Sequence, residues 1–255
     1  GVPIRPGMLA LGDASLLRSQ RMSISFMVGP HRVRFAGKTD IGRVRAQNED
    51  NVLVPKEMAL AVVSDGMGGH ASGEVASRIT VETIDQYYRD TARSGPNTWP
   101  MKLPNLEVER QRMAVAIQLA NSNIFETAAA DGAKKGMGCT VDAMYFSQGR
   151  FYIGHVGDSR VYRIRGGQIQ ALTEDHSFLN DFLRMKEMSS DEGINLPHKN
   201  VVVRALGLNE QVHVDVIHDE FKVGDLFLIC SDGLSGMLTD PQMREISTAS
   251  NSLDN

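Results

Sequence analysis

Several chemistries are missing from this sequence, and each absence removes a function class. No Cys-x-x-Cys occurs, and the two cysteines, Cys139 and Cys230, lie 91 positions apart, which leaves neither a zinc–thiolate site nor a disulfide scaffold. Both flank apolar runs and read as buried, reduced thiols. The glycine-rich stretch Gly66-Met67-Gly68-Gly69-His70 is not followed by Gly-Lys-Ser/Thr, so it is not a P-loop. There is no Gly-x-Ser-x-Gly elbow of a serine hydrolase and no His-Glu-x-x-His of a zinc protease. Basic residues (27) are outnumbered by acidic ones (31), for a net charge of −4, and no Lys/Arg block with interleaved aromatics appears. This balance argues against nucleic acid as the main partner. The longest apolar run, Met58 to Val63, is far too short to span a bilayer, so no membrane span is expected. Residues 1–31 carry Pro3, Pro6 and Gly7 and a basic bias, without a signal-peptide pattern. They are expected to form a poorly ordered leader to a cytoplasmic protein.

What is present is a recurring strand end. Ala59 to Val63 runs into Ser64-Asp65-Gly66, Phe151 to Val156 into Gly157-Asp158-Ser159, and Leu226 to Cys230 into Ser231-Asp232-Gly233. Each reads as a buried strand that stops at a turn with a carboxylate at its mouth. A fourth acidic knot, Asn48-Glu49-Asp50-Asn51, precedes the short apolar stretch Val52 to Val54. One Asp-Gly is an ordinary turn. Four acidic strand ends that meet repel one another unless protons or cations neutralise them, and hard divalent cations with oxygen ligands suit such a cluster. Arg45, four positions before Glu49, is the candidate phosphate fork, because a guanidinium presents paired donors that match phosphate oxygens. The plain alternative for that residue is a surface ion pair. His70, His155, His176 and His198 are scattered and read as structural or surface histidines.

Periodicity places these motifs. A strand is expected from Val33 to Gly42 and another from Met58 to Ser64. A helix capped by Ser72-Gly73-Glu74 follows to about Tyr88, then a proline-rich loop from Thr91 to Pro104 and a helix over about 106–130 with the stripe Met113, Ile117, Ala120 and Ile124. Strands at Cys139 to Phe146 and Phe151 to Val156 form one hairpin, and Val161 to Arg165 with Gln168 to Leu172 another across Gly166-Gly167. A helix from Phe178 to Met188, strands at Val212 to Ile217 and Leu226 to Cys230, and a helix opening at Pro241 complete the reading. Consecutive hairpins make antiparallel sheets, and two long helices must cover a sheet face. The expected class is α+β with sheet-on-sheet packing.

The motif series then resembles a known family. Thr39 to Asn51, Val63 to His70 with Ser72-Gly73-Glu74, Gly138-Cys139-Thr140, Gly157 to Arg160, Leu172 to Ser177, Arg204 to Gly207 and Cys230 to Leu234 are similar, in order, to the motifs of bacterial PPM-type (type 2C) metal-dependent protein serine/threonine phosphatases. The resemblance covers roughly Val33 to Leu238. It implies a β-sandwich of two antiparallel sheets flanked by helix pairs, with two Mn²⁺ or Mg²⁺ ions, and a third in bacterial members, at one sandwich edge. By the same resemblance, Asp65 bridges two metals, Gly66 lends its carbonyl, Asp232 is another ligand and Asp158 binds the third ion. Glu49 and Asp50 orient metal-bound water, Arg45 grips phosphate, and residues 178–200 form the flap beside the cleft. Met67 stands where animal relatives place a histidine, as in bacterial relatives. The implied reaction is hydrolysis of phosphoserine and phosphothreonine on proteins by a hydroxide bridging the two ions, with a serine/threonine kinase and its substrates as partners. A non-catalytic phosphoprotein-binding module and a hydrolase of small phosphate esters or nucleotides are the alternatives. Asp254-Asn255 matches the closing dipeptide of the family without the glycines that precede it there, 22 positions after Asp232. The phosphatase domain, residues 32–255, is therefore expected to be C-terminally incomplete, lacking its last core strand and leaving a sheet edge exposed.

Overall fold

The fold is that of a computed structural model describing residues 23–68, 72–94, 108–177 and 204–249. The run starting at Leu60 forms β4 (Leu60–Met67), with alternate residues buried. β3 (Asp50–Leu53) pairs with one edge of it and β6 (Val141–Ser147) with the other. β7 (Arg150–Val156) returns from β6 through a tight hairpin in which Gln148 and Gly149 take φ of 50° and 79°, as such turns require. β10 (Asp215–Glu220) completes the order β10-β7-β6-β4-β3, and β5 (Gly138–Cys139) pairs with the end of β4.

A second layer lies across this sheet. β8 (Arg160–Arg165), β9 (Gln168–Ala171) and β11 (Leu226–Cys230) pair in the order β11-β8-β9, while β1 (Ile24–Val28) and β2 (His31–Phe35) form a separate hairpin. Every pairing is antiparallel. Phe146, Phe151 and Ile153 of the first sheet meet Val161, Phe35 and Phe227 of the second layer in a dry core. The opposite face of the first sheet is covered by α1 (Ser72–Ser94) and α2 (Val108–Ala130), where Ile84, Tyr88, Met113, Ile117 and Ile124 pack on Val62, Ala143 and Tyr152. Beyond the second layer, α3 (Asp232–Ser235) and α4 (Asp240–Ala249) follow, and Met243 packs with Tyr162 and Cys230. The sandwich between helices is therefore the α+β architecture expected, and both cysteines are buried and unbridged.

Three local expectations need correction. Residues 24–31 were assigned to a leader, yet Ile24, Phe26 and Val28 alternate inward and pair residue by residue with β2. Phe26 meets Phe35 edge-on at 6.0 Å, and Phe35 meets Phe146 at 5.7 Å, so the hairpin is part of the core. The expected strand Val33 to Gly42 ends at Phe35; beyond it Gly37 runs so close to Val54 that a Cβ would sit 2.6 Å from it, and Asp40 turns the chain by accepting from the Gly42 N–H at 2.9 Å. The expected strand Val212 to Ile217 begins at Asp215, opposite His155; upstream, the Val212 carbonyl is held by the Gln118 side chain of α2. The expected helix Phe178 to Met188, the flap, residues 1–22, most of the Thr91 to Pro104 loop and Asp254-Asn255 lie outside the described residues.

Candidate metal and phosphate site

The strand register brings the acids together. Asp50, the first residue of β3, is the direct partner of Asp65 on β4. Asp158 sits on the three-residue link by which the chain leaves β7 in the first sheet and enters β8 in the second. Asp232 opens α3 immediately after β11. Ser231, beside it, donates its hydroxyl to Asp50 Oδ2 at 2.8 Å, closing the ring of strand ends. The charges feel one another. Burial, then Asp50, Asp232 and Asp158, push Asp65 up to about 8. Burial, then Asp232 and Asp175, push Asp158 up to about 6. Asp65, Asp158 and Asp232 are thus near enough for their charges to act on one another.

Glu49 and Arg45 stand at the rim. The Glu49 backbone carbonyl accepts from Gly66 N–H at 3.1 Å and from Ser77 Oγ at 2.5 Å. Its carboxylate lies over Gly73, where an added Cβ would stand 2.6 Å from Glu49 Oε1. The first turn of α1 is therefore glycine because that carboxylate occupies the space. Arg45 projects into solvent, its side chain 76% exposed, with Nη1 3.8 Å from Glu49 Oε2. Arg45, Glu49, Asp50, Asp65 and Asp232 all line one cavity of about 1110 Å³. That cavity is also lined by β2 and β11, two strands with one unpaired edge each among the described residues.

Behind Asp158 lies a buried polar network. His155 Nδ1 is 2.9 Å from Asp142 Oδ1, and its Nε2 is 3.0 Å from the Glu174 carbonyl. His176 Nδ1 accepts from Gly157 N–H at 3.0 Å, while Asp215 and Arg204 flank its Nε2. The histidines read as structural from sequence are structural here; His70 and His198 are outside the described residues. Sequence reasoning gave no task to Thr140, Ser231, His176 or Arg204. Each lies in a motif quoted above, but their partners stand 11 to 181 positions away, so the motifs do not reveal which bonds they make.

Every donor in the ring is oxygen, the set that Mn²⁺ and Mg²⁺ prefer. Among the described residues no three His, Cys, Asp or Glu side chains form a ready-made ion cage by themselves. Backbone oxygen and water would therefore have to complete any coordination shell. The raised pKa values of Asp65 and Asp158 are the mark of a negative cluster that a cation relieves. The residues therefore fit such an ion.

Comparison with known proteins agrees with this geometry. The chain matches the family model for protein phosphatase 2C over residues 42–253. It is 37% identical to the serine/threonine phosphatase stp of Listeria innocua over 212 residues, covering 82% of this chain and 81% of that one. Among solved structures, the serine/threonine phosphatase of S. agalactiae aligns with a TM-score of 0.71 at 31% identity, over 85% of this chain and 86% of that chain. The catalytic domain of the phosphatase PstP in complex with two manganese ions aligns with a TM-score of 0.66 at 30% identity, over 82% of this chain and 81% of that chain. With its sandwich, its ring of acidic strand ends and this match over most of its length, the chain belongs to the protein phosphatase 2C family.

Proposed function

We propose that the chain hydrolyses phosphoserine and phosphothreonine esters on proteins in a reaction that requires Mn²⁺ or Mg²⁺. The observation that carries this reading is the meeting of Asp50, Asp65 and Asp232 in one cavity beside the exposed Arg45, with Asp158 near enough for its charge to act on Asp65 and Asp232. In this reading Asp65, the Gly66 carbonyl and Asp232 hold two ions, and Asp158 serves a third. Such ions, when bound, supply Lewis acidity and lower the pKa of water at the site. Glu49 and Asp50 orient water through hydrogen bonds, and Ser231 fixes the rotamer of Asp50. Arg45 has one long ion pair and a solvent-exposed head, so its guanidinium is available to grip two phosphoryl oxygens. Met67 has no proton to give, so the leaving serine or threonine oxygen takes its proton from water. The physiological partners on this reading are phosphorylated proteins and the serine/threonine kinase that opposes it. Among the described residues no helix is long and apolar enough to cross a membrane.

The test is release of phosphate from a phosphothreonine peptide with and without Mn²⁺, beside a nucleotide as competing substrate class. Metal-dependent release, abolished in Asp65→Asn, is expected. Turnover without metal, full turnover in Asp65→Asn, or preference for the nucleotide would overturn the reading.

A further inference from the structure

Thr140 bonds to both the Asp65 strand end and the turn that carries Asp158. It interrupts the strand between β5 and β6 and is 1% exposed. Its N–H donates to the Asp65 carbonyl at 2.8 Å, and its Oγ1 accepts from the Asp65 N–H at 3.0 Å. Its carbonyl accepts from Ser64 Oγ at 2.7 Å. The same Oγ1 lies 2.7 Å from Ser159 Oγ, one residue beyond Asp158. On the other side of Asp158, Gly157 has φ of +117°, and a Cβ there would stand 2.6 Å from Thr140 Cγ2. The threonine methyl therefore fills the ground under the Asp158 turn while its hydroxyl ties that turn to Asp65. From the far side, His176 donates its N–H to the Gly157 carbonyl at 2.7 Å and accepts from the Gly157 N–H. The turn is thus held by Thr140 and by His176.

We propose that Thr140 is a positioning residue, one that sets the separation of Asp65 and Asp158 and through it the affinity of the site for divalent metal. The inference rests on the metal-site reading above. Asp65 and Asp158 come from different strands and repel each other, so their spacing has to be imposed by neutral groups that bond to both backbones. The hydroxyl of Thr140 is placed to do this, and its methyl excludes the slack that a smaller side chain leaves. Groups that hold ligands in place without touching the ion govern affinity strongly.

The experiment is Mn²⁺ titration of the whole chain by calorimetry, for the parent, Thr140→Val and Thr140→Ser. The metal-free melting temperature is recorded for each. Thr140→Val keeps the shape and removes the hydroxyl; its Mn²⁺ dissociation constant is expected to rise about 10- to 100-fold. Thr140→Ser restores the hydroxyl and is expected to recover most of that loss. A Thr140→Val protein that melts lower but binds Mn²⁺ as the parent does is held together by Thr140, not positioned by it, and overturns the proposal. Should Thr140→Val not fold, Ser159→Ala cuts the link on the Asp158 side while leaving the Thr140–Asp65 bonds. Weaker Mn²⁺ binding there supports the proposal, and parental binding overturns it. A parent that takes up no Mn²⁺ overturns the metal-site reading and this inference with it. Parental affinity in the variants overturns the inference alone.

Discussion

Arg45 and Gly66 show how differently two neighbours of the site are constrained. Arg45 has a side chain 76% exposed and one 3.8 Å contact, and exposed pairs of this kind contribute about 0–1 kcal/mol. Arg45→Ala is therefore expected to leave the melting temperature nearly unchanged. On the proposed reading the same change also removes a charged donor from the phosphate, worth about 1.5–3 kcal/mol. Steady-state kinetics on a phosphothreonine peptide should show kcat/KM reduced by about 10- to 100-fold. Gly66 is the opposite case. A Cβ there would meet the Gly73 carbonyl oxygen at 2.1 Å and the Glu49 carbonyl oxygen at 2.7 Å. These are backbone atoms that cannot swing away, so Gly66→Ala is expected to lose about 3 kcal/mol or more in urea unfolding. Asp65, Asp158 and Asp232 stood out as candidates because each follows an apolar run, and Glu49 and Asp50 because they precede one, which are local patterns. Thr140 and Ser231 were not legible as partners. Ser231 meets Asp50 across 181 positions and Thr140 meets Asp65 across 75, and a hydroxyl carries no sign of what it bonds until the sheets are assembled.

At the scale of elements, the helix layer was the plainest part of the sequence. The stripe Met113, Ile117, Ala120 and Ile124 is wholly buried, as its spacing predicts. The seam with α1 contains a charge that the stripe does not announce. Arg112 is 7% exposed, donates to Thr91 Oγ1 at 2.7 Å and to the Tyr88 carbonyl, and stacks over the Tyr88 ring at 4.2 Å. These bonds reach past Tyr88, where the sequence led us to end the helix, and α1 continues to Ser94. Arg112→Ala removes the partner of Glu109 and the cap on two α1 groups, and a loss of about 3 kcal/mol in chemical denaturation is expected. The β7–β10 seam behind Asp158 carries a pH dependence. His176, with a side chain 1% exposed, is driven down to about 4 by burial, the neighbouring His155 and Arg204, with Asp215 pulling the other way. A histidine in the unfolded chain titrates near 6.5, so between those values the unfolded state holds a proton that the folded state refuses. The His176 contribution to stability therefore falls as pH drops from about 6.5 to about 4, and levels off below. His155 works against it. Its hydrogen bond and charge pairing with Asp142 outweigh burial and raise its pKa, a contribution present below about 6.5 and lost as pH rises. NMR titration of the imidazoles should find His176 neutral at pH 5.5 and His155 still protonated there.

Among the described residues the whole molecule is two strand layers, the second made of a three-stranded sheet and a separate hairpin, with helices on both sides, and this arrangement was readable because hairpin signals imply antiparallel pairing and paired helices need a sheet to cover. The hairpin of β1 and β2 was the part missed, since prolines and basic residues nearby obscured its alternation. For the complete fold, ligand linkage gives a simple expectation. Mn²⁺ at 100 times its dissociation constant should add about 2.7 kcal/mol to stability, seen as a higher melting temperature that EDTA reverses. An unmoved transition would count against the proposed site.

Asp65 belongs to the first sheet, Asp232 follows the last strand of the second, and Asp158 lies on the passage between them. On the proposed reading, ions shared by Asp65 and Asp232, with a further ion at Asp158, would rivet the two layers together. Hydrogen–deuterium exchange at the β11 amides should slow when Mn²⁺ is added, although no amide of that strand touches the ion. On the proposed reading catalysis and cohesion would share one component, and the chain is expected to become stiffer when its site is filled.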